Sequence, residues 1–422
     1  MSEFDRVIGY EDVKAELIRI CDVIVDPEKY RKLGAVTPKG VLLHGEPGIG
    51  KTLMALSFIK ESGRKTITIR KDTPDGGFVE HIKVVFEEAK SQSPSIVFLD
   101  DLDKFADEEK KSKNEEEYIV VQSCIDDVKD DEVFVIATAN DIDLLPDSLI
   151  RNGRFDKVIE MVAPKDKEAE KIISFYLKDK KIVPDVDTGE ISRLMEGRTC
   201  ADLETVVNEA AIYAAYKGKE IIEQDDIVQA CMRIIFDAPE CVEQEDHEFL
   251  RNVAVHEAGH AVIGEILAPG SVNIVSIYQY SGSVKGILQA HENENMYLSK
   301  RLLENKVIRL LGGKAATEMV YGVSDPGTNS DLHKAFSMVE KFVDHYCSYS
   351  FDSFTSCDSS PYLFEMRDRR ISYEIERYYQ TAKQIIAENR SFLDAIVDEL
   401  MDKKTLTCRD IERIRNEYVK AA

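Results

Sequence analysis

The sequence predicts a parallel α/β domain with a small helical domain attached, followed by a larger, mostly α-helical unit. Three observations predict it. Between Gly40 and Val162 the short apolar runs GVLLHG, TITIR, SIVFLD, VFVIATA and VIEMV alternate with amphipathic stretches, as strands buried between crossover helices do. From Asp166 to Phe236 such runs stop, and apolar residues recur at helical spacing through EAEKIISFYL, ADLETVVNEAAIYAAY and QDDIVQACMRII. The stretch DAPECVEQED then combines a proline with clustered acids and no periodicity, which reads as a linker. From near His247 to Ala422 the pattern is helical again, broken by the β-like pieces VNIVSIYQY and GILQA and by a Ser-rich loop at SFTSCDSSPY. The expected domains are 1–165, α/β; 166–236, helical; 237–247, linker; and 248–422, the second unit.

Composition narrows the function classes. With 422 residues, 43% of them hydrophobic and only 22 Gly and 12 Pro, the chain has material for several cores and is neither disordered nor fibrous. Its 79 acidic residues outnumber 55 basic ones, and a net charge of −24 repels a phosphate backbone, so nucleic-acid binding is not expected. Apolar runs such as Ser95–Leu99 and Val133–Ala137 fall far short of the roughly 18 residues that a membrane helix needs. The start, MSEFDRVIGYEDVK, has neither signal-peptide nor transit-peptide character. A cytoplasmic location is expected, with membrane attachment if the chain is part of a longer protein. The eight cysteines are scattered without a CxxC pair, which suits reduced thiols and not a disulfide framework.

The strand GVLLHG runs into Gly45-Glu46-Pro47-Gly48-Ile49-Gly50-Lys51-Thr52, a GxxxxGK[ST] string followed at once by the helical TLMALSFIK. Glycines let backbone N–H groups curl around phosphate at a helix N-terminus, Lys51 can neutralise the β- and γ-phosphates, and the Thr52 hydroxyl can ligate magnesium. A Gly-rich turn that merely precedes a lysine is the plain alternative. The strand before the string and the helix after it argue for the phosphate loop. About fifty residues on, the apolar run ending at Leu99 delivers Asp100 and Asp101, and VFVIATA delivers Asn140 to the same edge. Carboxylates there suit magnesium and water activation, and an amide can orient the attacking water.

With Leu149-Ile150-Arg151-Asn152-Gly153-Arg154-Phe155-Asp156 added, the first half resembles an AAA+ ATPase module. The resemblance implies ATP with Mg2+ as cofactor, Asp100 as the magnesium carboxylate, Asn140 as sensor, and Arg151 and Arg154 as arginine fingers reaching a neighbour's nucleotide in a ring. It also implies nucleotide contacts from Ile8, Gly9, Pro47, Gly48, Ile49, Gly50, Lys51, Thr52, Leu53 and Ala201. Two departures stand out. Asp101 occupies the place of the catalytic glutamate, one methylene shorter. Phe78-Val79-Glu80 matches the segment just before the family's substrate-gripping loop, but the loop itself is shortened or missing.

In the second half His256-Glu257-Ala258-Gly259-His260 lies in an apolar-periodic helix. One turn apart, His256 and His260 share a face and can both bind zinc, with Glu257 beside the metal as general base. A buried helix with two satisfied histidines is the competing reading until a third ligand is found. Candidates are His291, Glu292, Glu318, Asp331, His333 and His345, and spacing does not choose among them. No histidine follows His260 by six residues, where Ile266 stands.

Nearly the whole chain resembles the FtsH family of AAA+ zinc metalloproteases: ATPase module, lid, HEAGH, Leu311-Gly312-Gly313 to Gly322, and Gly327-Thr328-Asn329-Ser330-Asp331. The family's third zinc ligand maps onto Asp331, and Ser330 replaces its usual asparagine. The fold class implied is an α/β P-loop AAA+ module with a small helical lid, followed by a mostly α-helical zinc metallopeptidase domain. The activity implied is ATP-dependent zinc endopeptidase action on unfolded or misfolded proteins by a homohexamer. A zinc peptidase with a slow or scaffold-like ATPase ring, or a non-proteolytic AAA+ remodeller or adaptor, are the rival readings that Asp101 and the shortened loop motivate.

Overall fold

The five apolar runs of the first half pair as one parallel sheet: β1 (Gly40–His44), β2 (Lys65–Ile69), β3 (Ser95–Leu99), β4 (Val133–Ala139) and β5 (Lys157–Glu160), in the spatial order β2-β3-β4-β1-β5. The inner strands are buried along their length while β2 and β5 are partly exposed, as expected of outer strands. Side chains alternate between two cores. Leu42, Val97, Leu99 and Val135 face α4 (Phe78–Ser91) and α5 (Glu116–Asp127), whereas Val41, Leu43, Ile96, Phe98 and Ile136 face α1 (Glu11–Val25) and α3 (Lys51–Ser62). Each fully buried side chain of this kind contributes about 1.5–3 kcal/mol. A short α2 (Pro27–Arg31) precedes β1.

The computed structural model describes residues 2–71, 77–106, 116–151, 153–236, 246–277, 287–290, 299–323, 328–344, 346 and 360–421. Outside the described residues lie Asp75 and Gly76 ahead of Phe78, Asn152, linker residues 237–245, His291, Glu292, Gly327, His345 and most of the Ser-rich loop. The chain forms two compact units, Met1–Ala230 and Cys231–Ala422.

The first unit is completed by α6 (Asp166–Leu177), α7 (Thr188–Leu194), α8 (Cys200–Tyr216) and most of α9 (Gln224–Phe236). The lack of strands expected from Asp166 to Phe236 holds among the described residues except for one parallel bridge, Ile182 to Ile222. In the second unit α10 (His247–Leu267) is central, with every residue from Ala254 to Glu265 buried. Around it stand α11 (Lys300–Leu310), α12 (Gly312–Tyr321), α13 (Asn329–Asp344), α14 (Pro361–Glu388), α15 (Arg390–Lys403) and α16 (Cys408–Ala421). A small antiparallel sheet of β6 (Val272–Ser276), β7 (Ile287–Ala290) and β8 (Thr405–Thr407), ordered β7-β6-β8, packs beside them. Only the first two of its strands were expected, because β8 spans three residues and is too short for a period. Among the described residues no helix is long and apolar enough to cross a membrane.

Candidate nucleotide and metal sites

The loop after β1, the acids after β3 and Asn140 after β4 all leave the sheet at the carboxyl ends of its strands, the edge where open α/β sheets bind ligands. Gly48 (φ 82°) and Gly50 (φ 92°) take left-handed conformations that bend the loop before α3. Lys51 is 5% exposed, and its Nζ donates to the carbonyls of Gly45 and Glu46 (both 2.7 Å) and to Asn140 Oδ1 (2.9 Å). Burial holds its pKa below the usual lysine value, against the opposing pull of Asp101 and Asp103. Asp100 Oδ1 accepts the hydroxyls of Thr52 (3.0 Å) and Thr138 (2.8 Å). A hydroxyl and a carboxylate converging at the start of α3 fit a magnesium ion on a nucleotide.

Asp101 adopts a left-handed backbone (φ 55°); its N–H donates to Thr138 Oγ1 (2.9 Å), and its carboxylate pairs with Lys104 (2.9 Å). Gly9 (φ 75°) packs on Glu168, whose carboxylate accepts the Tyr10 amide (2.6 Å), so the segment after Ile8 is pinned to α6. A capping box of Thr199 and Asp202 starts α8. Its second residue, Ala201, donates its N–H to the Gly48 carbonyl (3.0 Å). Ile49 is buried; Pro47 and Leu53 are exposed.

The two arginines differ. Arg151 is exposed. Arg154, expected to reach a neighbouring subunit, is instead 7% exposed and turned into its own chain, where Asp126 takes Nε and Nη2 (3.2 and 2.7 Å) and Gln122 and the Ser148 carbonyl take Nη1 (2.9 and 2.5 Å). The fork of a guanidinium matches the Asp126 carboxylate in two bonds, which sequence spacing does not reveal.

In the second unit His256, His260 and Asp331 form a cluster whose ligand atoms all lie within 4.8 Å of one another. His256 Nε2 is 3.2 Å from Asp331 Oδ2 and 3.1 Å from His260 Nε2, which is 3.3 Å from the same carboxylate oxygen. Zinc bonds of about 2.0–2.1 Å at tetrahedral angles put ligand atoms roughly 3.3 Å apart, so the donor set fits zinc. His260 Nδ1 lies 2.7 Å from the Arg309 carbonyl. An N–H donated there leaves the Nε2 lone pair facing the cluster. Burial works against the charged form of His260, but the Asp331 contact and the charge of Glu257 outweigh it and raise its pKa. Burial likewise opposes the Asp331 charge, and the two imidazoles overcome it, holding the carboxyl well below its usual range. Glu257 is 8% exposed and its carboxyl is pushed up by burial, against the pull of both histidines.

Of the other third-ligand candidates, two lie among the described residues. Glu318 is bound by Lys383 (2.8 Å), Lys314 (3.3 Å) and the Tyr379 hydroxyl, and His333 is exposed. Thr138 carries no motif signal, and Gly313 lies in the Leu311–Gly322 segment of the family resemblance without a role of its own there. A Cβ at Gly313 would stand 2.5–2.6 Å from three atoms of the His256 ring.

A phosphate loop with its lid in one unit and a histidine–carboxylate metal cluster in the other define the class: an ATPase module joined to a metallopeptidase. Family models match accordingly: the ATPase family associated with various cellular activities over residues 41–162, the AAA+ lid domain over 185–229, and peptidase family M41 over 243–414. The chain is 31% identical over 434 residues to ATP-dependent zinc metalloprotease FtsH 2 of Thermoanaerobacter sp. (strain X514), covering 98% of this chain and 83% of that protein. It is 32% identical over 454 residues to ATP-dependent zinc metalloprotease FtsH of Aquifex aeolicus, covering 98% and 70%. For the FtsH of Aster yellows witches'-broom phytoplasma the figures are 31% over 429 residues, 97% and 63%. The chain belongs to the FtsH family of ATP-dependent zinc metalloproteases.

Proposed function

We propose that this chain is an ATP-dependent zinc endopeptidase in which His256, His260 and Asp331 hold the metal and Glu257 is the general base. The observation that carries it is the convergence of three zinc-type ligand atoms beside a buried glutamate, in a chain that also couples Thr52 to Asp100 behind a phosphate loop. Zinc bound there supplies a Lewis acid for the scissile carbonyl and for its water. Glu257, beside the two histidines on α10, takes the proton from the attacking water and passes it to the leaving nitrogen. The Arg309 carbonyl fixes the His260 ring, and Gly313 leaves room for the His256 ring.

In the ATPase site the loop from Pro47 to Gly50 and Leu53 surround the phosphates, Lys51 neutralises them, and Thr52 with Asp100 holds magnesium. Magnesium supplies charge neutralisation on the β- and γ-phosphates. Asp101 and Asn140 orient water, and Ile8, Gly9 and Ala201 border the base. Arg151 is the finger that reaches across subunits, and Arg154 positions the loop that carries it. The assignment of domains to 1–165, 166–236, 237–247 and 248–422 belongs to the same reading, supported by the three family matches. So do a homohexameric ring, unfolded proteins as substrates, indifference to nucleic acid on account of the −24 charge, and a cytoplasmic setting where ATP is available.

A labelled, unstructured protein substrate tests this. Cleavage requires zinc and hydrolysable ATP and disappears in Glu257→Gln, which still binds nucleotide; cleavage surviving in that variant sinks the peptidase assignment. A slow ATPase ring is the second reading, favoured by Asp101, short by a methylene and paired with Lys104. Under it, cleavage proceeds equally with a non-hydrolysable analogue.

A further inference from the structure

Parallel pairing of β2 with β3 brings Ile69 opposite Leu99, and the Ile69 carbonyl accepts the Asp100 amide (3.0 Å). The next residue, Arg70, therefore leaves the sheet directly beside the Asp100 carboxylate. Its Nη2 lies 2.8 Å from Asp100 Oδ2, while Oδ1 is taken by the hydroxyls of Thr52 and Thr138. The Asp100 side chain is 5% exposed, the Arg70 side chain 54%. A carboxylate so buried requires a cation or several donors. The cation here has one end in water, and such a half-exposed pair exchanges at small cost. Asp101 pairs with Lys104 (2.9 Å), and Lys51 is hydrogen-bonded to loop carbonyls and Asn140 and acts on Asp100 only through its charge, so among the described residues Arg70 is the cation in direct contact with the Asp100 carboxylate.

We infer that Arg70 is a built-in counter-cation for Asp100 that competes with magnesium, so that magnesium arriving with nucleotide displaces it from Oδ2. The inference rests on the nucleotide-site reading above. Two opposite effects follow from one charge. Arg70 raises the magnesium concentration the site needs, because it draws on the same carboxylate. It also lowers the repulsion between Asp100 and a triphosphate that carries no metal.

The test is binding of a fluorescent ATP analogue to the full chain, titrated with magnesium and repeated in chelator, for the parent, Arg70→Gln and Arg70→Lys. In Arg70→Gln the magnesium needed for half-maximal binding falls about two- to fivefold, the upper part of the span of one partly exposed ion pair, and metal-free affinity falls. Arg70→Lys, which keeps the charge, stays near the parent on both. An unchanged magnesium requirement in an Arg70→Gln protein that melts like the parent overturns the inference, as does an equal shift in Arg70→Lys. A parent that binds no magnesium–nucleotide, or binds it equally after Lys51→Ala, overturns the nucleotide-site reading and this inference with it; parent binding lost in Lys51→Ala leaves Arg70 judged alone.

Discussion

Gly313 does its work by having no side chain. The His256 ring occupies the volume that a Cβ would need, at 2.5–2.6 Å, and in a close-packed interior such a clash forces the ring out of its place. Gly313→Ala is expected to turn the His256 ring away from Asp331 and His260. Misorienting a ligand typically costs about 10–100-fold in metal affinity. Chelator competition for zinc, on protein whose helical content is intact, measures it, and an unchanged affinity refutes the role. At this same scale the sequence was most legible where chemistry is local. His256 and His260 share a helix turn, and Lys51 and Thr52 follow their glycines, so those residues could be named from spacing alone. Asp331 comes from a different helix seventy residues on, and its membership in the cluster needed a resemblance or a fold.

At the scale of elements, α10 and α12 cross on glycines. A Cβ at Gly259 would be 2.5 Å from the Gly312 carbonyl oxygen, and one at Gly312 would be 2.7 Å from that of Gly259. Close backbone approach explains why Gly312 and Gly313 stand together: one admits the helix, the other the histidine it carries. On the far side α12 is tied to α14 through Glu318, whose carboxylate meets Lys383, Tyr379 and Lys314. Those contacts, Lys383 first, lower its pKa from the ordinary 4.5 to about 2. A carboxyl with a depressed folded pKa stabilises above its unfolded value and loses that stabilisation as pH falls toward the folded one. Glu318→Gln is therefore expected to melt below the parent at neutral pH, with the gap closing progressively as pH drops from about 4.5 toward 2. Melting curves along that pH series check it; a gap independent of pH means the contacts act by packing alone.

Across the whole molecule the two compact units should answer to different ligands. Magnesium–ATP at about 100 times its Kd stabilises the unit that binds it by about 2.7 kcal/mol, which for a unit of this size raises Tm by roughly 5–10 °C. Calorimetry is expected to show that rise in one transition only. A zinc chelator lowers the other. A single transition that moves with both ligands would contradict independent units.

The sequence by itself determined the parallel α/β domain, the helical lid and the helical second unit, because buried strands and amphipathic helices each impose a period on neighbouring residues. It likewise determined the phosphate loop and the two histidines, whose function depends on a single turn of chain. Tertiary structure decided what depends on residues far apart: that Asp126 draws Arg154 inward, that Thr138 links Asp100 to the Asp101 backbone, that Arg70 stands on the Asp100 carboxylate, and that Asp331 meets His256 and His260 in a cluster able to hold a metal. Charge pairing and metal ligation act across space over a few ångströms. Distance along the chain carries no record of them until the sheet and helices have set the register.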